Sequence, residues 1–518
     1  MTNTDEKAFM ETIAEGYATQ GGSIILGSAM FEGKPISNLF VSLPLATLNR
    51  HGLVAGATGT GKTKTLQRMS EQLSLQGVPV LLMDIKGDMS GISRPGSLQP
   101  KIEQRHRLLG IPWNASTYPV EFLGLGAKAD GVKLRATVSE FGPVLFSRIL
   151  ELNDTQGGVV SMVFKYCDDN GLPLLDLEDF KTTMQYLTRE GKEEVERMYG
   201  TVSPASTGTI MRKLIELEGQ GAEQFFGEIS FDVSDLIRHD SNGRGYLSVL
   251  RLMDMQTKPK LFSTFMLSLL AEIYQKFPEE GDMEKPKLVI VIDEAHLVFD
   301  DASDALLDQL ETVIKLIRSK GISIIFCTQN PQDVPDAILA QLGFKIQHAL
   351  RAFTAKDREV IKKASENYPE TVYYEVSELL TQLGMGEALV TALNEKGIPT
   401  PLAHTMLSAP ETRMDTITSS ELEETIQSSS LVSKYGEVVD RESASEILSK
   451  KLESLNVQVS PETQTRGGVV GGGAVTHDAV TMVTSIAKST VARQVGRQVA
   501  REITRGLLGA LFGAIKKR

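Results

Sequence analysis

The sequence predicts an α/β fold with a mainly parallel sheet, a large helical insertion and a C-terminal helical tail. Three observations carry this. Residues 56–63 read Gly-Ala-Thr-Gly-Thr-Gly-Lys-Thr, a complete phosphate-binding loop between a short apolar run and a helical pattern. Residues 288–294 read Leu-Val-Ile-Val-Ile-Asp-Glu, a buried strand that ends in two carboxylates. Strand and helix patterns alternate around both, as they do where helices cover both faces of a parallel sheet.

The elements follow in order. Residues 1–50 form a short N-terminal segment, helical over 1–20 and short strands and turns over 23–50. Residues 52–55 form the strand that enters the phosphate loop, and 63–75 the helix that leaves it. Residues 78–83 are a continuous apolar run, suited to a strand buried on both faces. Asp84-Ile-Lys-Gly-Asp88 follows at the carboxyl end, where α/β sheets place functional groups. Two more strands are expected, around Leu108 and over 120–123.

Residues 130–285 are mainly helical with Gly-rich breaks and read as an inserted helical subdomain. The nucleotide-binding core therefore spans 51–129 and 286–408. Its second part holds strands at 288–292, 322–326, 344–349 and 387–392, with a helix over 302–319. Residues 409–473 are rich in Ser, Glu and Thr and form a linker. Five glycines at 467, 468 and 471–473 give it a flexible end. Residues 474–518 form a final basic amphipathic helix.

Composition narrows the class. Apolar residues make up 41% and charged residues 23%, the balance of a globular protein rather than a disordered one. Two cysteines, Cys167 and Cys327, are too few for a disulfide framework and point to a reducing compartment. The first residues are polar and acidic, unlike a secretory leader. No apolar run reaches the roughly 18 residues of a membrane span. A cytoplasmic location is expected. Net charge is −12, yet Arg466–Arg518 holds nine Lys/Arg against two Asp/Glu. That asymmetry suggests a basic tail with an anionic partner; the alternative is a solvated tail, or one docked on the chain's own acidic surface.

The phosphate loop carries the most specific chemistry. Glycines 56, 59 and 61 let backbone N–H groups close around phosphates, with Thr58 and Thr60 between them. Lys62 supplies a point charge to the β- and γ-phosphates. The Thr63 hydroxyl is a ligand for Mg²⁺, and Lys64 opens a helix whose positive end faces the phosphates. ATP and Mg²⁺ are the expected cofactors.

Asp293 suits the second contact to Mg²⁺. Glu294 suits a general base that polarises the attacking water. Cys327-Thr-Gln-Asn-Pro331 follows the next buried strand, so Gln329 can report on the γ-phosphate; as a polar turn the segment is also ordinary. Arg351 follows a further strand, taken to lie at the sheet edge, and is a candidate arginine finger for a neighbouring subunit. Arg358 is the competing candidate, and a surface ion pair is the alternative for each. Asp84, Lys86 and Asp88 either contact nucleotide or substrate or simply build a turn.

Asp-Glu-Ala-His at 293–296 is similar to the signature of DEAH helicases, but the glutamine and arginine motifs of that class are missing. The order of the pieces instead resembles the HerA/FtsK superfamily of hexameric P-loop ATPases. The matching segments are Gly-Ala-Thr-Gly-Thr-Gly-Lys-Thr, Ile-Asp-Glu-Ala-His, Cys-Thr-Gln-Asn-Pro and Leu-Arg-Ala-Phe-Thr-Ala-Lys-Asp. The resemblance covers 22–408, and the whole chain is similar to the bacterial HerA-like, YjgR-type family. It implies a RecA-like core, a homo-hexameric ring, Lys62 and Thr63 on phosphate and metal, and Asp293 ordering the metal. It further implies Glu294 activating water, Gln329 sensing the γ-phosphate and Arg351 acting in trans. HerA proteins carry an N-terminal β-barrel; about 50 residues precede the loop here, too few for a full barrel of that type.

In the tail, Arg493, Arg497, Arg501 and Arg505 recur every four residues, as do Val491, Val495, Val499 and Ile503. The two sets are offset by about 200° around a helix, so one face is basic and the other apolar. Such a helix suits an anionic membrane surface, a protein partner or nucleic-acid phosphates; packing on its own core is the alternative. Two functions stay open: a motor acting on double-stranded DNA, and a non-motor regulatory or assembly ATPase.

Overall fold

The computed structural model describes residues 3–125, 131–253, 255, 258–281, 283–299, 304–436 and 441–458. The expected basic helix over 474–518, and the glycines before it, lie outside the described residues.

Twelve strands form one sheet among the described residues: β1 (Ser23–Phe31), β2 (Lys34–Pro44), β3 (Gly52–Ala55), β4 (Val80–Asp84), β5 (Val120–Gly124), β6 (Val132–Lys133), β7 (Leu247–Arg251), β8 (Leu288–Ile292), β9 (Ile322–Thr328), β10 (Phe344–Gln347), β11 (Glu387–Ala392) and β12 (Ala403–Leu407). Their order is β2-β1-β12-β11-β10-β3-β9-β8-β4-β7-β5-β6. From β10 to β6 every pairing is parallel. From β10 back to β2 every pairing is antiparallel. The fold is therefore a RecA-like α/β core with an antiparallel flank.

Burial explains the central strands. β4, β8 and β9 are buried at every position, so they read as mainly apolar runs rather than alternating ones, broken only by Ser323 and by the polar ends Asp84 and Thr328. One helix on the sheet, α2 (Lys62–Leu75), buries Leu66, Met69 and Leu73 in the same core as Val54, Val80, Val289 and Ile325. Their spacing of three and four residues is one face of a helix.

Several expectations are corrected. The stretch around Leu108 is not a strand. It lies in the helix α3 (Pro100–Leu109), which has Pro100 in its first turn and Gly110 at φ 73 as its stop. β7 falls inside the stretch read as mainly helical; five residues are too few to display a period. The N-terminal helix, α1 (Asn3–Gly16), forms as expected. The following strands are long, nine and eleven residues, and join the sheet through β12. β10 is not at an edge: it lies between β3 and β11.

The chain divides into two compact units. The first contains residues 1–136 and 216–439 and holds the whole sheet. The second contains 137–215 and the chain from 440 onward, of which 441–458 are described. Three of its helices start at reciprocal side-chain caps, Thr137 with Glu140, Asn153 with Gln156 and Asp176 with Asp179. Its core includes Phe146, Phe164 and Phe180, with ring centroids 4.9–6.0 Å apart. The returning chain docks there through Ala444 N to the Pro173 carbonyl at 3.0 Å and Ser445 N to Asp179 at 2.8 Å.

Candidate functional site

β3 runs straight into the loop 56–63, and α2 begins at Lys62. The loop is anchored on both neighbouring strands. Gly56 N donates to the Thr328 carbonyl at 3.2 Å, and Ala57 N to the Ala349 carbonyl at 2.8 Å. Two glycines are required by geometry. Gly56 sits at φ 151, and a Cβ there would lie 2.5 Å from His348 Cβ. Gly61 caps α2 at φ 113, in the left-handed region that side chains avoid. Thr58 and Gly59 form the exposed crest; Thr60 is buried and its hydroxyl donates to the Ala57 carbonyl at 2.7 Å.

Lys62 is buried and folds back on its own loop, donating to the carbonyls of Gly56 at 2.6 Å and Ala57 at 3.3 Å. The Thr63 hydroxyl donates to Asp88 Oδ2 at 3.2 Å. Lys64 points away from the crest, toward Gln67 Oε1 at 3.4 Å and the Met414 carbonyl. Burial pulls the Lys64 ammonium below its ordinary pKa, against the opposing charges of Asp88, Asp415 and Asp84.

The acid pair lies two strands away. The order β3-β9-β8 puts β9 between the loop strand and the strand that ends at Ile292. Register carries the levels across: Ala55 pairs with Thr328, and Ile292 with Phe326. Gln329 is thus level with Gly56, and Asp293 with Cys327. Ala295 N donates to the Cys327 carbonyl at 2.8 Å and closes the turn.

Asp293 is 2% exposed, and its Oδ2 has no hydrogen-bond partner among the described residues. Burial raises its pKa, against the lowering charge of Lys86. Glu294 adopts φ 48, a strained backbone for a non-glycine residue. One of its carboxylate oxygens pairs with Lys86 Nζ, and the other lies 3.2 Å from His296 Nδ1. Asp84 is fully buried and accepts from Gly87 N at 2.7 Å and Met89 N at 3.2 Å. Burial, then the charge of Asp88, pushes its carboxyl up to about 6.

A family model described as Helicase HerA-like C-terminal matches residues 32–518. The chain belongs to this HerA-like family. A curated relative, the DNA double-strand break repair helicase HerA of Saccharolobus solfataricus, is 22% identical over 376 residues, 72% of this chain and 66% of the relative. The protein of the same name from Sulfolobus acidocaldarius is 21% identical over 368 residues, 68% of this chain and 64% of the relative. The match thus spans slightly less than two thirds of these relatives' length. Among solved structures, the bacterial conjugative coupling protein TrwBΔN70 superposes with a TM-score of 0.50 at 14% identity, over 79% of this chain and 94% of that one. That likeness concerns the fold.

In this HerA-like chain the expected residues fall into two groups. Gly56, Thr58, Gly59, Thr60, Gly61, Lys62, Thr63, Asp293 and Glu294 gather at the carboxyl ends of β3 and β8, with Gln329 exposed at the end of β9 between them. Arg351 is exposed four residues beyond β10, and Arg358 is exposed on the helix Ala355–Glu366.

The HerA-like site also holds residues that sequence reasoning missed. His348 is fully buried, and its Nε2 lies 3.0 Å from the Thr65 hydroxyl. Burial, then the charge of Lys62, holds its pKa down at about 4, so it is a neutral wall behind the loop. Its position follows from register: Gln347 pairs with Ala55, which puts 348 level with Gly56. Arg105 of α3 donates to the carbonyls of Met385, Gly386 and Leu407 at 2.9–3.0 Å, and Gly386 N donates to the Thr60 carbonyl at 3.0 Å. No local motif announces either residue.

Proposed function

We propose that this chain is a Mg²⁺-dependent ATPase that assembles into a hexameric ring and moves on double-stranded DNA. The observation that carries the reading is the placement of loop 56–63 opposite Asp293 and Glu294, across the single strand β9. The printed function of the curated relatives, DNA double-strand break repair helicase, supports DNA as the substrate.

The residues fit a cation. Thr63 donates its hydrogen to Asp88, which leaves its oxygen lone pairs available, and Asp293 presents a buried oxygen without a partner. Thr63 and Asp293 would hold Mg²⁺, which supplies positive charge to the phosphate oxygens.

In the proposed reaction, the loop N–H groups hold the phosphates, and Lys62 leaves its loop carbonyls for the β- and γ-phosphate oxygens. Water attacks the γ-phosphorus in line. The new P–O bond forms as the bond to the bridging oxygen breaks, ADP departs, and the water proton passes to Glu294. Gln329 reports on the γ-phosphate from β9. Arg351, exposed near the loop strand, acts on the nucleotide of a neighbouring subunit.

The net charge of −12 favours a second reading, a regulatory or assembly ATPase whose basic tail binds protein or an anionic membrane. No described helix is long and apolar enough to cross a membrane, and a cytoplasmic location belongs to either reading. Steady-state hydrolysis with and without duplex DNA separates the two. Stimulation by DNA supports the motor; hydrolysis indifferent to DNA at every ratio rejects it in favour of the assembly ATPase.

A further inference from the structure

The loop Asp84–Asp88 touches both halves of the candidate site. Asp88 accepts from Thr63, and Lys86 pairs with Glu294. The loop leaves β4, which lies beside β8 with Met83 level with Ile292. Asp84 ties it into a tight turn through Gly87 N and Met89 N, with Gly87 at φ 79. That turn presents Lys86 toward the acid pair on a fixed base. The Lys86 side chain is 36% exposed and that of Glu294 only 6%, so the lysine has room to leave while the glutamate is enclosed.

One Glu294 oxygen is paired with Lys86, and the other lies 3.2 Å from His296 Nδ1 without a regular hydrogen bond. A carboxylate oxygen occupied by an ammonium is not free to accept a hydrogen bond from an attacking water. Lysine suits a releasable clamp: it is a point charge on a four-carbon stem, without the planar fork that locks arginine to carboxylates.

We propose that Lys86 is a positioning residue that holds Glu294 out of action in the resting chain. The inference rests on the reading of Glu294 as the base. Release of Lys86 frees one oxygen of Glu294 for water, so the pair sets the basal rate without contributing to nucleotide affinity.

The test compares wild type with Lys86→Met, Lys86→Gln and Lys86→Arg as full chains. Steady-state ATP hydrolysis gives kcat and KM, and a fluorescent ATP analogue gives affinity. Both neutral variants are expected to raise kcat about threefold or more with affinity unchanged, and Lys86→Arg, whose fork holds the carboxylate more tightly, to lower kcat below wild type. A structural role alone would not raise kcat and spare affinity. Unchanged or lowered kcat in folded Lys86→Met and Lys86→Gln would overturn the inference while leaving the ATPase reading intact. Wild-type turnover no higher than that of Glu294→Gln would overturn both.

Discussion

The Lys62 ammonium lies 2.6 Å from the carbonyl oxygen of Gly56, the first residue of its own loop. The charge proposed to meet phosphate is thus kept buried but partnered, by carbonyls that ask for no counter-ion. Lys62→Ala should lower ATP affinity about 100-fold or more, roughly 2.7 kcal/mol. Titration with a fluorescent ATP analogue checks this. Affinity within threefold of wild type would remove Lys62 from the phosphate site.

Arg351 is exposed beyond the interior strand β10, which pairs parallel with the loop strand β3. If it completes a neighbour's site, Arg351→Ala should cut turnover at least tenfold and leave ATP affinity unchanged. Mixing Arg351→Ala with Glu294→Gln subunits should recover turnover, since each then supplies what the other lacks. No recovery at any mixing ratio contradicts action in trans.

Glu71 on α2 is fully buried and accepts from the backbone of Glu411 and Thr412 at 2.9–3.0 Å and from the Thr412 hydroxyl. It also pairs with Arg68 at 3.0 Å. Burial raises its pKa, while Arg68 and the backbone donors oppose that. Glu71→Ala strands those donors, while Arg68 keeps Glu411 at 3.0 Å, and should cost about 3 kcal/mol. Denaturant unfolding measures it; a loss below about 1 kcal/mol would show that the segment 411–412 does not depend on this carboxylate.

His51 and His348 give a pH signature. Burial holds both near a pKa of about 4, against an ordinary 6.5. Between those values the unfolded chain binds protons that the folded chain refuses, so stability is full above 6.5 and is lost as pH falls toward 4. Each histidine contributes about 3 kcal/mol over that window. Asp84, raised to about 6, works the other way and gains stability as pH falls through 6. A difference measurement cancels it. His51→Gln should show a shallower loss between pH 6.5 and 4 than wild type in urea unfolding; parallel curves would mean that His51 is protonated in the fold.

Much of the site was legible because its parts are local. A loop of eight residues and an apolar strand ending in Asp-Glu announce themselves at fixed spacing. What was not legible depends on strand order. His348 meets Gly56 only because β10 pairs with β3, and Glu71 meets Thr412 across 341 residues. The sequence places Arg351 after an edge strand, whereas β11, β12, β1 and β2, which cover β10, are drawn from segments far apart in the chain. Around Leu108 the apolar residues suggested a strand, although Pro100 and Gly110 bound a helix at that place. β7 was hidden by its brevity among helices.

Turnover by the full-length chain, measured for wild type and Glu294→Gln with Mg²⁺ and ATP, in the presence and absence of duplex DNA, tests the central claim. The account predicts that Glu294→Gln binds ATP within threefold of wild type yet turns over at least 100-fold more slowly, and that DNA accelerates only the wild type. Equal turnover by the two proteins would contradict it.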